Sequence, residues 1–218
     1  MTSNCHLSVQ QTRRNLENET RPRLAIAHVT YVDPGYLATG GRVHDAWTSG
    51  DHHLLPYQPR VVVVVENRDS RVWFPPFPGV VAVEGGGKAA AALLAGVEWI
   101  LNAERVVYWG DLDTEGFGIL AHFRAALAQR GAVVESILMD AVTMARFAHL
   151  GVNHDKHGQP LKPQLTSPGG LHEAERGAYE ALATGGPAVF RRIEQERIGS
   201  RAAAVALEGL LQRTLTSD

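Results

Sequence analysis

The feature that most constrains the fold is a run of five valines, Val61–Val65, followed directly by Glu66. β-Branched side chains favour extended backbone. A strand without polar alternation is typical of the centre of a parallel sheet, where helices cover both faces. We therefore predict an α/β fold built around this strand.

The segments that follow alternate between strand-like and helix-like patterns. Three further apolar runs, GVVAVE, RVVYWGD and VESILMD, predict strands. Residues 88–101 and 114–129 carry apolar side chains at helical spacing. Such alternation indicates βαβ units, so we expect a mostly parallel sheet with helices on both faces. Beyond residue 151, a long polar loop precedes three predicted helices, at residues 171–184, 188–197 and 201–215.

The remaining regions set the expected domain organisation. Residues 1–23 are polar and lack periodicity, so we expect a flexible lead-in, followed by one domain over residues 24–218. Residues 33–60 are dense in Gly, Pro and Asp and are predicted to form a loop.

Composition excludes some classes of protein. The net charge of −2 does not favour nucleic-acid binding by bulk charge. The single cysteine, Cys5, excludes an intramolecular disulfide and a cysteine-based zinc site. No apolar run of about 18 residues is present, so we expect a cytoplasmic protein without membrane contact.

Acidic residues stand at the ends of two predicted neighbouring strands. Glu66 follows the valine run, and Asp111 and Asp113 follow VVYWG. Residues i and i+2 of an extended segment point the same way, about 7 Å apart, and sites in parallel sheets form at the carboxyl ends of strands. Converging carboxylates repel one another unless a cation lies between them. The set therefore predicts a site for Mg²⁺ or a similar hard cation.

Helix capping is the alternative for each acid considered singly. Asp113 or Thr114 would serve as the N-cap of the following helix. Asp140, which ends the next strand, is better explained as a cap. Glu66 at the end of a valine run has no such explanation.

Other acid-bearing and phosphate-binding families fit less well. Haloacid-dehalogenase phosphatases have Thr or Val two residues after the second Asp, where this chain has Glu115. A bare Asp-x-Asp, as in glycosyltransferases, is weak evidence. The segment EGGGK departs from a phosphate loop because Ala82 and Ala89 replace its first Gly and its Ser or Thr.

The order of the acids resembles the Toprim domain of topoisomerases, primases and related nucleases. A closer resemblance is carried by five blocks, VVVVVENRDS, FPGVVAVEGGGKA, VVYWGDLDTEGFGILAHFRA, SILMD and RRIEQERI. Through these blocks, residues 24–200 resemble the C-terminal domain of JetD, the nuclease subunit of the bacterial Wadjet plasmid-defence system, which is related to the topoisomerase VI A subunit. The family's N-terminal DNA-gripping region is expected to be absent from this chain.

The resemblance implies roles for the strand-end acids and for Lys88. Glu66, Asp111 and Asp113 would be the catalytic acids that bind Mg²⁺ or Mn²⁺, with Glu66 also a candidate general acid or base. Lys88, beside three glycines, would contact a DNA phosphate, although a surface lysine needs no such explanation.

The charged motif RRIEQERI is predicted to lie on a helix. In one interpretation, Glu194 or Glu196 completes the metal site and Arg191, Arg192 or Arg197 meets DNA. In the other, these residues form a solvated charged helix.

The resemblance implies a metal-dependent endonuclease that acts as a homodimer on plasmid DNA with an SMC-type partner complex. None of the five tyrosines lies in a motif for a covalent nucleophile, which favours hydrolysis over transesterification. A non-cleaving DNA- or partner-binding module with a structural ion is the alternative, and a phosphatase for small phosphoesters is a third hypothesis.

Overall fold

The computed structural model describes residues 25–48, 50–51, 53–185 and 190–215. The expected lead-in at residues 1–23 lies outside this range. Six strands are present in the described part of the chain: β1 (Ile26–Tyr31), β2 (His44–Thr48), β3 (Val61–Val65), β4 (Val80–Glu84), β5 (Arg105–Trp109) and β6 (Val134–Ser136).

Nine α-helical segments surround or connect these strands in the described residues. They are α1 (Pro34–Leu37), α2 (Arg68–Val72), α3 (Ala90–Leu94), α4 (Glu98–Leu101), α5 (Thr114–Ala128), α6 (Ala141–Arg146), α7 (Glu173–Thr184), α8 (Gln195–Ile198) and α9 (Ser200–Leu215). Single 3₁₀ turns occur at Gly87–Ala89 and Ala148–Leu150. None of the helices in the described residues is long and apolar enough to span a membrane.

The strands form one sheet in the order β2-β1-β4-β3-β5-β6. Strands β4, β3, β5 and β6 are mutually parallel, whereas β1 pairs antiparallel with both β2 and β4. All five valines of β3 are buried, as expected for a central strand covered on both faces. The predicted mostly parallel α/β sheet is therefore confirmed.

The predicted loop at residues 33–60 contains two regular elements. Helix α1 begins after Asp33, whose side chain accepts a hydrogen bond from the Tyr36 amide at 2.8 Å. Strand β2 pairs with β1 and buries Trp47, while its other side chains remain partly or fully exposed. A single buried apolar residue leaves a weak strand pattern, so the prediction of a loop was wrong here.

Two predicted helices are shorter than expected. The helix predicted at residues 88–101 breaks between α3 and α4, where Val97 has extended backbone after Gly96. In the motif RRIEQERI, Arg192 and Ile193 form isolated β-bridges to Val152 and Leu112, and only Gln195–Ile198 is helical. The prediction of one helix across this motif was wrong because backbone pairing with distant segments overrides local helix propensity.

Candidate metal centre

The parallel register of β3 and β5 brings the first two acids to the same edge of the sheet. Val65 lies opposite Trp109, and the Glu66 amide donates to the Trp109 carbonyl at 3.0 Å. Glu66 and Asp111 therefore leave the sheet side by side, at the carboxyl ends of two neighbouring strands.

The Glu66 carboxylate is held by two donors from the β5 side. Its Oε2 accepts hydrogen bonds from the Asp111 amide and from the Tyr108 hydroxyl, both at 3.1 Å. Burial, and then the negative charge of Asp111, raise the pKa of Glu66 to about 7. Near neutral pH this carboxyl group thus exchanges a proton readily.

Asp111 is a second partly buried carboxylate with a raised pKa. Burial raises its pKa to about 6, the charges of Asp113 and Glu196 raise it further, and the Gln195 amide and Arg192 oppose this increase only in part. The Gln195 amide donates to Asp111 Oδ1 at 2.8 Å. Glu66 and Asp111 are therefore two partly buried carboxylates whose protonated forms are favoured, and the charge of Asp111 disfavours the ionisation of Glu66.

Asp113 has a different environment, in which both of its carboxylate oxygens are engaged. Oδ1 accepts a hydrogen bond from the Gly116 amide at 2.7 Å and caps helix α5. Oδ2 is contacted by Arg192 through Nε and Nη2, each at 2.5 Å. Arg192 is farther from Asp111, with 3.9 Å between Nε and Oδ2. The capping interpretation of Asp113 is confirmed, and Arg192 pairs more closely with this acid than with Asp111.

The donor chemistry of the site fits a hard divalent cation only in part. Within the described residues, no three His, Cys, Asp or Glu side chains are grouped so that they could hold an ion. Glu66 and Asp111 lie at neighbouring strand ends, and a cation bound to them would favour the ionised forms that burial and neighbouring negative charges disfavour. Asp113 could join them in competition with Arg192, which pairs with its Oδ2.

Gln195 connects the two strand ends, a role that the sequence did not reveal. Its side chain, fully buried, accepts from the Asn67 amide at 2.8 Å and donates to the Trp109 carbonyl at 2.6 Å. Together with its backbone contact to Asp111, Gln195 fixes the end of β3 relative to the end of β5. A glutamine inside a charged motif gives no signal of this role.

Two glycines allow the acids to approach closely. A Cβ on Gly110 would lie 2.5 Å from Glu66 Oε2, and one on Gly116 would lie 2.3 Å from the Asp111 carbonyl oxygen. Both distances are shorter than real Cβ contacts, so any larger residue would displace the acids. The segment WGDLDTEG contained this information, because glycine is the residue expected where backbone and side chains come close.

The other residues of RRIEQERI have mainly structural contacts. Arg191 donates to the carbonyls of Leu182 and Gly185 at the end of α7, and exposed Arg197 donates to the Leu150 carbonyl at 2.9 Å. The remaining acids of the motif differ in position: Glu194 is the N-cap residue of α8, and exposed Glu196 raises the pKa of Asp111 electrostatically. Only Arg192 of this motif contacts a strand-end acid with its side chain.

The comparison with protein-family models decides the family. The model described as "Wadjet protein JetD, C-terminal" matches residues 21–207, which include every strand and all the acids of the site. The chain belongs to the JetD C-terminal family. Membership gives it a role in a Wadjet defence system. A comparison with curated proteins returns no match.

A cleft of about 290 Å³ lies beside Asp113 in this JetD-family domain. Its walls include basic, acidic and polar side chains: Asp113, Thr114, Glu115, Lys162, Gln164, Arg191 and Arg192. Lys88 lies nearby and pairs with Glu115 at 2.9 Å, and its side chain is largely exposed. Basic groups thus border the acids on one side, where a phosphodiester could be neutralised.

A larger cavity of about 560 Å³ lies elsewhere on the domain, lined by residues such as Trp47, Leu93 and Trp99. It contains none of the predicted site residues. The raised pKa values of Glu66 and Asp111, rather than cavity size, therefore identify the candidate site.

Proposed function

We propose that the chain is the metal-dependent endonuclease domain of a Wadjet defence system and cleaves DNA by hydrolysis. The observation that carries the proposal is the placement of two carboxylates with raised pKa values, Glu66 and Asp111, at neighbouring strand ends of the sheet in a member of the JetD family. The Toprim resemblance of the strand-end acids supports the same chemistry.

Glu66 and Asp111 would hold Mg²⁺ or Mn²⁺, with Asp113 as a further ligand once Arg192 is displaced. A bound ion of this type polarises a phosphodiester and lowers the pKa of a coordinated water. Glu194 and Glu196 are weaker candidates for additional ligands. Of these two, Glu196 has the electrostatic link to Asp111.

The protein's own groups supply the rest of the proposed chemistry. The pKa of Glu66 is about 7 in the metal-free protein, and a bound cation would lower it, so a Glu66 oxygen that does not ligate the ion would be the candidate proton acceptor. Gln195 and Tyr108 hold the acids in position through their hydrogen bonds. Arg192, with Lys162 in the same cleft, would neutralise the phosphodiester, and Lys88 is a further candidate contact.

The proposed partners follow from the resemblance. Double-stranded plasmid DNA would be the substrate, a second copy of the chain would place a second site for the opposite strand, and an SMC-type complex would deliver the DNA. Arg191 and Arg197 remain candidate DNA contacts in this proposal, although each already donates to a backbone carbonyl.

A non-cleaving DNA- or partner-binding module is the second candidate function. It is favoured by the pairing of Asp113 with Arg192 and by the lack of a three-ligand group in the described residues. In such a module, Glu66 and Asp111 would hold a structural ion.

Incubation of the purified chain with circular plasmid and Mn²⁺ tests the proposal. We expect nicking or linearisation that stops with EDTA and in Asp111→Asn, because that variant removes one of the paired carboxylates. Asp140→Asn is the matched control: it makes the same change at an acid that caps α6 and does not join the pair.

Equal cleavage by Asp111→Asn and wild type would contradict the assignment of the site. Mn²⁺ binding without any cleavage would favour the non-cleaving module.

A further inference from the structure

The Arg192 guanidinium contacts Asp113 Oδ2, the oxygen that an ion bound to Asp113 would use. Both of its contacting nitrogens lie 2.5 Å from Asp113 Oδ2, and the other Asp113 oxygen caps α5. A cation that takes Asp113 as a ligand therefore has to compete with a charge-assisted ion pair in a partly buried setting.

The charges of the site make this competition consequential. The site holds three carboxylates, Glu66, Asp111 and Asp113, and one guanidinium, that of Arg192, which pairs with Asp113 and lies 3.9 Å from Asp111. A divalent cation supplies the positive charge that the remaining pair lacks. With the ion bound to that pair, the charge that remains is that of Asp113, which can be balanced by Arg192 or by a share of the ion's charge.

The backbone around Arg192 is fixed, so only the side chain can respond. The Arg192 amide donates to the Val152 carbonyl at 3.1 Å and the Arg192 carbonyl accepts from the Val152 amide at 2.8 Å. The next residue, Ile193, exchanges two backbone hydrogen bonds with Leu112, at 3.0 and 3.1 Å. The guanidinium can therefore leave Asp113 by rotamer changes without moving the chain.

The cleft beside Asp113 provides a place for the released side chain. Arg192 and Lys162 both line this cleft of about 290 Å³, and the Arg192 side chain is already partly exposed. A guanidinium directed into the cleft would lie next to Lys162, a pair suited to a phosphodiester.

We infer that Arg192 and a divalent cation compete for Asp113, so that Arg192 is a positioning residue that holds the metal-free site closed and turns toward the phosphodiester when the ion binds. This inference rests on the proposed function, because it requires that Glu66 and Asp111 bind a cation.

Calorimetric titration of the full chain with Mn²⁺ tests the competition. We expect Arg192→Gln to lower the dissociation constant for Mn²⁺ on the order of tenfold, because the competing charge is gone. Arg192→Lys keeps the charge but cannot contact Asp113 through two nitrogens, and we expect a smaller decrease. Arg197→Gln is the matched control: it loses the same charge from an exposed side chain that donates to the Leu150 carbonyl, and should change the constant less than twofold.

Structural damage would weaken metal binding, so tighter binding in Arg192→Gln distinguishes competition from a merely structural role. A measurement on the wild-type chain covers the case in which that variant fails to fold. The Arg192 Nε–Hε resonance, followed by NMR during addition of Mg²⁺, should shift as its hydrogen bond to Asp113 is lost.

The outcomes separate the inference from the proposed function. The competition is overturned if wild type binds the metal and Arg192→Gln binds it equally or more weakly. It is also overturned if wild type binds the metal while the Arg192 resonance does not shift. Either result is compatible with the metal site itself. Absence of metal binding in wild type and in Arg192→Gln alike overturns both.

Discussion

At the scale of single residues, the two carboxylates of the site differ from ordinary surface acids because their surroundings favour the protonated form. Burial contributes most to this effect, and the neighbouring negative charges add to it. The hydrogen bonds from Tyr108 and from the Asp111 and Gln195 amides stabilise the ionised forms but only partly compensate. The site is therefore unstable as an assembly of bare charges, which is the condition that a cation would relieve.

The raised pKa of Glu66 predicts a pH-dependent stability of the metal-free protein. In the unfolded state Glu66 releases its proton above its ordinary pKa of 4.5, whereas in the native state it keeps the proton up to about pH 7. The stability that Glu66 contributes is therefore fully present below pH 4.5 and is lost as the pH rises through about 7. In EDTA, the free energy of unfolding measured with denaturant should decrease by up to about 3 kcal/mol over this pH range. The decrease that is due to Glu66 should be absent in Glu66→Gln.

Glu104→Gln is the control for that experiment, because Glu104 is an exposed carboxylate paired with Arg60. It should retain the slope of the wild type between pH 4.5 and 7. A Glu66→Gln variant with an unaltered slope would contradict the electrostatic description of the site.

Two glycines of the same helix should respond oppositely to alanine. Gly116→Ala would press a methyl group against the Asp111 carbonyl, with a cost of about 1 to 3 kcal/mol. Gly118→Ala meets only the Gln164 side chain, 3.7 Å away, and should stabilise α5 by about 0.5 to 1 kcal/mol. Thermal unfolding of both variants provides the comparison, and equal effects would show that the close approach at Gly116 does not constrain the site.

The strand-end acids could be anticipated from the sequence, whereas their partners could not. Glu66 and Asp111 follow apolar runs whose parallel register is predictable, so their proximity follows from local pattern. Gln195 and Arg192 reach the site from more than 80 positions farther along the chain than Asp111 and only through long-range pairing. No local pattern encodes such a contact.

At the scale of elements, an ion pair joins α5, β6 and α7 behind the site. Arg124 contacts both carboxylate oxygens of Glu175 at 2.7 and 2.8 Å, and Glu175 also accepts from Ser136 and from the His172 amide. Burial raises the pKa of Glu175, but these hydrogen bonds together lower it by more than burial raises it, so its pKa is below the ordinary value. The pair helps to fix α5, the helix capped by Asp113.

Removal of this pair should destabilise the fold strongly. Arg124→Met leaves Glu175, only 3% exposed, without its charge partner, and we expect a cost of about 3 to 5 kcal/mol in denaturant unfolding. Glu104→Gln, which breaks an exposed ion pair, should cost less than about 1 kcal/mol. Similar costs for the two variants would contradict a structural role for the Arg124–Glu175 pair.

Elements with a strong local pattern were predicted well, and elements set by distant contacts were not. Helix α5 was expected at residues 114–129 and occupies Thr114–Ala128, because its apolar side chains recur at helical spacing. Strand β2 was missed because Trp47 is its one buried side chain, and the break before α4 depends on the backbone of Val97. For β2, the deciding interaction is its pairing with β1, which lies outside the local pattern.

At the scale of the whole molecule, the sheet brings residues that are distant in the sequence close together. The acids come from segments 45 residues apart, and the register of β3 with β5 aligns them. The JetD family match covers this arrangement from end to end. Because the two ligands come from different strands, binding of an ion at this edge would be coupled to the folding of both strands.

Metal binding should stabilise the whole domain. At a free Mn²⁺ concentration one hundred times the dissociation constant, mass action adds about 2.7 kcal/mol to the free energy of unfolding. The rise in thermal midpoint should be larger at pH 8 than at pH 6, because protons compete for Glu66, whose pKa is about 7. Glu66→Gln should show little rise, and a rise equal to that of wild type would place the ion elsewhere.

Anomalous diffraction from crystals of the chain grown with Mn²⁺ tests the central claim most directly. The account predicts an anomalous peak between the carboxylates of Glu66 and Asp111, with the Arg192 side chain turned away from Asp113. A fully occupied Mn²⁺ peak at another position, with no peak between Glu66 and Asp111, would contradict it.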